Sequence, residues 1–461
     1  MNELQQKNLM PQIFTIWSDE IEGRIDPYFY VFKEMKNSNL VSIKEFAKVQ
    51  GGYAFKSVEY RRENGIPLVR IQNIKDSEVD LSDTVYIDKK YLDICERFLL
   101  NNKDILIAMT GATIGKVGRI YQDILPAFLN QRVGRFLVDD KKVNLDYLFF
   151  VLQFELFTNQ IKRLSLGGSQ PNISPGSIEE IKIPLPSLAI QNKIVEIMAK
   201  AYAEKKEKET AAEKLLGSID DFVLEELGIK ISEIKKEMVF EVWSNKVENN
   251  RIDSEYWQPY LEKIEKTINN SKYKTQKLKD FITKIYYGAS TSNAYVDEGI
   301  PLLRILNLKP NYFNLLKVVY LPESFRKELG NAFVETGDLL ISRSGTVGMV
   351  SVVPPEASGF AFGSFMIKFC LDDKINKEFV SLWLNNKVNK LLTEREKIGA
   401  VQGNITIGTI ENFDIPVPSL AIQNKIVEKV NSYYSQSKTW QNEAQEIFIK
   451  AKQKVEQMIL E

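Results

Sequence analysis

The sequence predicts an α/β (α+β) fold in which two similar globular domains are separated by a two-helix antiparallel coiled coil, with a pseudo-twofold internal duplication. Three observations lead to this prediction. The same segments occur twice, in the same order, along the 461 residues. Each copy begins with short apolar runs that are separated by Gly, Asn and Ser. Each copy ends in a long stretch whose apolar residues recur every three or four positions, which is the period of a helix.

The chain consists of two tandem copies, Met1–Gly228 and Ile229–Glu461. The segment PSLAIQNKIVE stands at 186–196 and again, unchanged, at 418–428. GIPLVRIQNI at 65–74 returns as GIPLLRILNL at 299–308, and DILIAMTGATIG at 104–115 returns as DLLISRSGTVG at 338–348. Repeats that keep their order and spacing in this way indicate two copies of one structural unit.

The first part of each copy mixes strand-like and helix-like segments. Runs such as IPLVRI, DILIAM and VGRFLV predict strands, and 145–164 and 377–392 predict a helix in each copy. This alternation is typical of a compact α/β or α+β domain. The predicted boundaries are 1–185 for the first domain with its lead-in, 186–228 for a central spacer helix, 229–250 for a connector, 251–417 for the second domain and 418–461 for a C-terminal spacer helix.

The two spacer helices are predicted to pair with each other. Ser187 and Ser419 are suitable N-caps, and Gly228 is suitable as the residue that ends the first helix. Helices of about 40 residues are roughly 60 Å long, and each has only the other as an apolar partner of its own length. Such partners pair antiparallel in this chain order and hold the two domains apart. The alternative is that both helices are core-facing elements of a larger α domain.

Composition excludes several classes of function. Lys and Arg total 61, Asp and Glu total 61, and the chain has no histidine; it therefore lacks Ser-His-Asp triads, Cys-His nucleophiles and His-containing zinc sites. Cys95 and Cys370 are too few for a zinc site, and although one disulfide is possible, low cysteine use favours a reducing compartment. No apolar run reaches the ~18 residues of a membrane span, and the first residues do not resemble a secretory signal. We expect a soluble, cytoplasmic protein.

The repeated motifs carry a resemblance to a known family. IPLPSLAIQNKIVE at 183–196, IPVPSLAIQNKIVE at 415–428, the segment 51–74, LNQRV at 129–133 and GGSQPNIS at 167–174 resemble the specificity (S) subunit of type I restriction–modification systems. The second copy departs from the first, because it lacks the Phe-Lys-Ser of 55–57 and has GFAFGSFMIKF where LNQRV is expected.

The resemblance implies a subunit that targets DNA and is not catalytic by itself. Each target-recognition domain would read one half of a bipartite, gapped sequence of double-stranded DNA, and the helices would set the spacing and dock two modification (methyltransferase) subunits. Restriction (translocase and endonuclease) subunits would complete the complex. No cofactor is expected on this chain; S-adenosylmethionine, ATP and Mg would bind the partner subunits. The residues expected to contact the methyltransferases are Gln191, Lys193, Gln423 and Lys425 of the repeated segment.

Candidate DNA contacts follow from comparing the two copies. Residues shared by both copies, such as Arg70 and Arg304 or Asn73 and Asn307, do not distinguish two half-sites, so we interpret them as scaffold or phosphate contacts. Long donors that occur in one copy are better suited to base edges, since Arg pairs with guanine and Asn or Gln with adenine. The candidates are Lys56, Arg61, Arg62, Gln72 and Arg132 in the first copy and Asn293, Tyr295 and Arg343 in the second.

Two other functions stay open at this point. A non-catalytic coiled-coil scaffold that binds proteins rather than DNA would show the same duplication and helices. An enzyme in its own right is disfavoured, because the chain has no histidine and no cofactor motif; GATIGKV at 111–117 is one residue too short for a phosphate-binding loop and lacks its Ser or Thr. We interpret that segment as a turn between strands.

Overall fold

The structure is a computed structural model that describes residues 40–75, 77–165, 171–231, 234–243, 253–291, 295–397 and 403–460. It divides into two compact units. The first joins the chain up to Glu207 with the segment from Glu443 onward, and the second is Lys208–Asn442. Strands and helices occur in both units, as the α/β (α+β) prediction requires.

The first unit contains a five-stranded sheet of order β2-β9-β6-β7-β4, a three-stranded sheet β5-β3-β8 and the pair β1-β10. Its strands are β1 Leu40–Ser42, β2 Ala47–Gly51, β3 Ile66–Val69, β4 Ser77–Glu78, β5 Val85–Ile87, β6 Ile105–Ala108, β7 Val117–Arg119, β8 Phe128–Leu129, β9 Val133–Val138 and β10 Lys182–Pro184. Its helices before the spacer are α1 Tyr91–Ile94, α2 Leu145–Val151, α3 Glu155–Ser165 and α4 Pro175–Glu179.

The second unit repeats this arrangement with a four-stranded sheet of order β12-β20-β17-β18, a three-stranded sheet β16-β13-β19 and the pairs β11-β21 and β14-β15. Its strands are β11 Thr275–Lys277, β12 Ile282–Tyr287, β13 Ile300–Leu303, β14 Leu308–Lys309, β15 Tyr312–Phe313, β16 Val319–Leu321, β17 Leu339–Ser342, β18 Val350–Val352, β19 Ala361–Phe362, β20 Met366–Leu371 and β21 Asp414–Pro416. Its own helices are α7 Pro259–Asn269, α8 Arg326–Leu329, α9 Lys377–Asn385, α10 Lys387–Arg395 and α11 Ile407–Glu411.

The predicted domain helices at 145–164 and 377–392 are each two helices rather than one. In the second unit the break lies at Asn386, whose backbone is extended (ψ 142°) and whose side chain accepts a hydrogen bond from the amide of Val388. Asn386 therefore acts as the N-cap of α10, a role that asparagine fills well. Apolar spacing does not reveal this break, because the residues on both sides of it are buried.

The sequence predicts spacer helices at 186–228 and 418–461. In the structure they are α5 Leu188–Gly217, α6 Ile219–Glu226 and α12 Leu420–Leu460. At Gly228 the backbone has φ +70°, and the amides of Gly228 and Ile229 donate to Glu225 (2.9 Å) and Leu224 (2.8 Å). These are the bonds of a Schellman motif, so the predicted role of Gly228 is confirmed. The first spacer helix is interrupted at Ser218, next to Gly217, a residue pair that commonly bends helices.

In each unit the start of one spacer helix packs against the end of the other. In the first unit, Tyr202 of α5 meets Phe448 of α12 with ring centroids 5.8 Å apart. In the second unit, Phe222 of α6 meets Tyr433 of α12 at 5.7 Å. These contacts are those of an antiparallel pair, as predicted. Each contact joins the core of its unit, which also contains Ile194, Met198, Val455 and Ile459 in the first unit and Ile219, Val223, Ile426 and Val430 in the second.

A buried glutamine attaches each spacer helix to the domain that precedes it. Gln191 is fully buried, accepts a hydrogen bond from the amide of Asn144 (2.7 Å) and donates to the carbonyl of Pro186 (2.8 Å). Gln423 is also fully buried and bonds the amide of Asn376 and the carbonyl of Pro418 (both 2.8 Å). Neither side chain is available to a partner, because both are enclosed within their own unit. The docking prediction is therefore corrected for these two glutamines.

Removal of the buried glutamine side chain is expected to lower the local stability of its unit. Gln423→Ala leaves the amide of Asn376 and the carbonyl of Pro418 buried without partners, and we expect a cost of about 2–4 kcal/mol. Hydrogen exchange at the Asn376 amide measures it. Asn424→Ala is the matched control, since the exposed Asn424 loses one bond from the Asn376 side chain (2.8 Å) and is expected to cost about 1 kcal/mol or less. Equal protection of Asn376 in both variants would contradict this account.

Candidate DNA interface

In the first unit the carboxyl ends of several strands meet, and we call the residues that follow β2, β3, β6 and β8 the strand-end edge. Because β3 and β8 run parallel, their ends lie side by side, and the amide of Asn130 donates to the carbonyl of Val69 (3.1 Å). The amide of Gly52, which follows β2, donates to the carbonyl of Val133, the first residue of β9 (3.3 Å). After β6, the amide of Met109 donates to the carbonyl of Arg132 (3.0 Å).

The second unit builds its strand-end edge, after β12, β13, β17 and β19, with the same hydrogen bonds. The amide of Gly363 donates to the carbonyl of Leu303 (3.0 Å). The amide of Gly288 donates to the carbonyl of Met366, the first residue of β20 (3.1 Å). The amide of Arg343 donates to the carbonyl of Phe365 (2.9 Å). The equivalent pairs are therefore Gly52 and Gly288, Asn130 and Gly363, Met109 and Arg343, and Arg132 and Phe365.

The turn after β3 and its counterpart after β13 are held by a buried asparagine. Asn73 and Asn307 are each 1% exposed. Asn73 accepts from the amide of Arg70 (3.0 Å) and donates to the carbonyl of Asp80 (2.9 Å), and Asn307 makes the equivalent two bonds, both of 2.9 Å. Both asparagines therefore have a structural role, which agrees with the scaffold interpretation of the residues that the two copies share.

The shared arginines are held at the same edge by aromatic rings. The guanidinium carbon of Arg70 lies 5.8 Å from the ring centroid of Tyr60, and that of Arg304 lies 5.4 Å from the ring of Tyr295. Such cation–π contacts fix the orientation of the positive charge. Gln170 and Gln402, also shared by the two copies, lie outside the described residues.

Two of the five candidates in the first copy lie on the strand-end edge. Gln72, in the turn after β3, is exposed, and its Nε2 donates to the carboxylate of Asp83 (3.2 Å). Arg132 is exposed between β8 and β9. Its side chain makes no hydrogen bond or ion pair with any residue that the structure describes. Arg132 is therefore the more accessible donor of the two.

The other three candidates, Lys56, Arg61 and Arg62, are exposed on the segment between β2 and β3. Arg61 forms an ion pair with Asp88 (2.5 Å). Because β5 is antiparallel to β3, Asp88 lies beside the start of β3, at the end opposite to the strand-end edge. Arg61 is therefore held beside β5, and its neighbour Tyr60 contacts Arg70 at the strand-end edge.

Two carboxylates on this part of the unit are ionised at neutral pH. The hydroxyl of Tyr91 and the amide of Lys56 donate to Glu59, which lowers the pKa of Glu59 and raises the pKa of Tyr91 to about 12. A backbone amide and the charge of Arg61 lower the pKa of Asp88. These negative charges reduce the positive field that Lys56 and Arg61 offer to a phosphate backbone.

In the second unit Arg343 lies over an aromatic ring. Its guanidinium carbon is 4.8 Å from the ring centroid of Tyr287, the last residue of β12, and the hydroxyl of Tyr287 accepts from the amide of Ile407 (3.3 Å). The Nε of Arg343 is buried and makes no hydrogen bond with the described residues. The carbonyl of Phe365 accepts the hydrogen bond from the amide of Arg343 (2.9 Å). Phe365 is 47% exposed, and Tyr287 is 44% exposed.

The remaining second-copy candidates have different outcomes. Tyr295 is 39% exposed and carries Arg304 on its ring, whereas Asn293 lies outside the described residues. Sequence reasoning missed Tyr287 and Phe365. The signal for Phe365 was the repeat itself, because an aromatic residue stands where the first copy has Arg132.

Several cations inside the units are structural. Arg135 is bonded to Asp104 (3.0 Å), and the equivalent Lys368 is bonded to Asp338 (3.3 Å). Each of these cations is less than a tenth exposed. Because they are buried and paired, they add little to the positive field outside the protein.

The repeated segment still presents a lysine in each copy. Lys193 and Lys425 occupy equivalent positions on α5 and α12 and are exposed.

In the described ranges no cluster of three or more Asp, Glu, Cys or His side chains is arranged to hold a metal ion. Both cysteines are free thiols. None of the described helices combines the length and hydropathy that crossing a membrane requires.

Comparison with known proteins gives consistent matches. The family model for the type I restriction modification DNA specificity domain matches the chain twice, at residues 35–214 and 262–447. The MjaVIII specificity subunit of Methanocaldococcus jannaschii is 32% identical over 160 residues, which span 34% of this chain and only 37% of that relative. The EcoKI specificity subunit of Escherichia coli is 22% identical over 393 residues, 83% of this chain and 78% of the relative.

Among solved structures, the type I S subunit from M. genitalium aligns over 92% of this chain and 97% of its own, with 14% identity and a TM-score of 0.42. The two family-model matches account for most of the chain, one in each sequence copy. The chain therefore belongs to the family of specificity subunits of type I restriction–modification systems, whose domains recognise DNA targets.

Proposed function

We propose that this chain is the sequence-specificity subunit of a type I restriction–modification complex, and that each domain reads one half of a bipartite, gapped DNA target. The observation that carries the proposal is the strand-end edge. Both units build it with the same backbone hydrogen bonds, yet the side chains on it differ. A shared frame with different side chains suits two DNA segments of the same shape and different sequence.

The proposal divides the polar residues by role. Arg70 and Arg304 are alike in both units and suit phosphate contacts, which position a protein without reading sequence. Gln72, Arg132 and Arg343 differ between the units and suit base edges. The other candidates for DNA contact remain Lys56, Arg61, Arg62, Asn293 and Tyr295.

Charge favours a division of labour between subunits. Residues 41–180 contain 19 basic and 18 acidic residues, and 270–415 contain 18 and 15. Because phosphate neutralisation supplies most non-specific affinity, this chain alone is expected to bind DNA weakly. The methyltransferase subunits would then supply much of the contact with the DNA backbone, together with S-adenosylmethionine and catalysis. Restriction subunits, with ATP and Mg, would add cleavage.

The spacer helices are proposed to set the gap and to dock two methyltransferase subunits. The support is the unchanged segment PSLAIQNKIVE, which exposes Lys193 in one copy and Lys425 in the other. Two equivalent surfaces, one in each sequence copy, suit two copies of one partner.

The decisive test is genome-wide mapping of methylated adenine in a methylation-free host that expresses this chain with its methyltransferase. The expected result is one split motif, with two short unequal blocks around a fixed gap. An intact complex that adds no methylation would overturn the proposal and favour the coiled-coil scaffold that binds proteins.

The docking surface makes a separate prediction. Lys193→Glu and Lys425→Glu are each expected to weaken one methyltransferase site by roughly tenfold through like-charge contact, so that native mass spectrometry finds one methyltransferase per chain in place of two. Lys200→Glu is the control, because Lys200 is exposed on α5 but lies outside the repeated segment. Two methyltransferases bound at unchanged affinity in the double variant would remove both lysines from the docking surface.

A further inference from the structure

Three equivalent positions of the strand-end edge carry different chemistry in the two units. Gly51 ends β2 as Tyr287 ends β12, since each pairs with the equivalent residue of the next strand. In the first unit the methyl carbon of Met109 lies 3.8 Å from the position that a Cβ of Gly51 would take. In the second unit Arg343 covers Tyr287 in the same way. The three exchanges are Gly51 for Tyr287, Met109 for Arg343 and Arg132 for Phe365.

The second unit therefore has an arginine that is held in place before any ligand arrives. The ring of Tyr287 supports the guanidinium from one side, and the bond from the Ile407 amide fixes the Tyr287 hydroxyl. The Nε of Arg343 is already buried, so its exposed donors are the two terminal nitrogens. A fork of two donors that needs no further ordering suits the bidentate contact of arginine with the O6 and N7 of guanine.

Two exposed positions of the second strand-end edge are apolar where the equivalent positions of the first unit, Arg132 and Gln72, are polar. Phe365 is 47% exposed beside Arg343. Leu306, which occupies the place of Gln72 in the turn after β13, is 65% exposed. An exposed aromatic ring next to a fixed cation suits the face or methyl group of a base better than a phosphate, which carries the charge of the backbone.

We propose that Arg343 recognises a guanine in the half-site read by the second unit, with Tyr287 as its positioning residue and Phe365 packed against the neighbouring base. The inference rests on the proposed function, because it assigns a base to one of the two reading surfaces. It also assigns the specificity difference between the units to the three exchanged positions.

The test compares the methylated motifs of variant complexes with that of the wild-type complex. Arg343→Met installs the residue of the first unit, and discrimination at one guanine is expected to fall by about 5- to 140-fold, the equivalent of 1–3 kcal/mol. Arg343→Lys keeps the charge but loses the fork, so the same position is expected to relax. Tyr287→Gly is expected to relax it too, whereas Tyr287→Phe keeps the ring and is expected to retain the preference.

Two controls separate a reading role from a structural one. The other half-site of the same motif is an internal control and is expected to stay unchanged. Arg326→Met is the matched variant, since Arg326 also lies over an aromatic ring, that of Phe333 at 5.7 Å, but stands on α8. A wild-type complex without a split motif would overturn the proposed function. A split motif whose base preferences are unchanged by both Arg343 variants would overturn only this inference.

Discussion

A chain that ends at Asn442 is expected to lose the folded first unit, although the deleted residues stand at the opposite end of the sequence. The segment from Glu443 onward belongs to the first unit. Val455 is fully buried there, Ile459 is 8% exposed, and both share a core with Ile194 and Met198 of α5. Burial of such side chains contributes about 1.5–3 kcal/mol each. Together with Phe448 and Met458, which pack against the same core, the loss approaches the 5–15 kcal/mol that stabilises a typical domain.

Hydrogen exchange of the full-length and truncated chains measures this effect unit by unit. Amides of β2, β6 and β9 are expected to lose protection, whereas those of β17 and β20 keep it. A single substitution gives a milder version. Val455→Ala is expected to destabilise the first unit by about 2 kcal/mol, while Ile449→Ala, at a position that is 50% exposed, serves as its control. Unchanged protection of the first unit in the truncated chain would show that the segment from Glu443 onward is not part of its core.

The duplication and the long helices were predictable because their signals are local and repeated. Gly228 marks a helix end through its backbone conformation, Ser187 and Ser419 directly precede the first residues of α5 and α12, and the apolar period of α12 holds over 41 residues. The breaks at Ser218 and Asn386 were not predictable from that period. At Asn386 a single side chain redirects the chain between two apolar segments that read as one helix.

The burial of Gln191 and Gln423 depends on contacts that sequence spacing does not show. Each glutamine bonds an amide 47 residues earlier in the chain, at Asn144 and Asn376. The docking assignment was based on the family resemblance and on the exact repetition of PSLAIQNKIVE, neither of which shows whether a side chain is buried. Lys193 and Lys425, two positions further along, are exposed.

The side chains proposed to read DNA were predicted only in part, for a related reason. Arg343, Arg132 and Gln72 were chosen because each is a long donor found in one copy. That Arg343 and Phe365 are neighbours follows from a backbone bond across 22 residues of sequence, and that Tyr287 lies under Arg343 follows from the register of β12. Sheet register is set by the whole fold, so the aromatic members of this surface became visible only with the structure.

Gly288→Ala is expected to disable the second reading surface more severely than removal of any side chain on it. A Cβ at Gly288 would lie closer than 3.0 Å to the carbonyl oxygen of Gly363, a backbone atom that has no freedom to move aside. The clash falls where the amide of Gly288 joins β20 and the amide of Ala289 joins the carbonyl of Phe362 (3.1 Å). Overpacking of this kind costs about 3 kcal/mol. We expect it to push β12 away from β19 and thereby to move Tyr287 away from Phe365.

The equivalent Gly52 meets the same obstacle from the carbonyls of Leu129 and Asn130, so Gly52→Ala is expected to affect the first unit in the same way. Each variant complex is compared with wild type by competition binding to oligonucleotides in which one half-site is scrambled. Gly288→Ala should abolish the preference for the second half and keep that for the first, and Gly52→Ala should do the reverse. Gly217→Ala is the control, because nothing lies within 4 Å of its added Cβ and alanine favours the helix by about 1 kcal/mol. If either glycine variant weakened both halves alike, the two units would not read DNA independently, and the duplicated strand-end edge would be one joint surface instead of two separate ones.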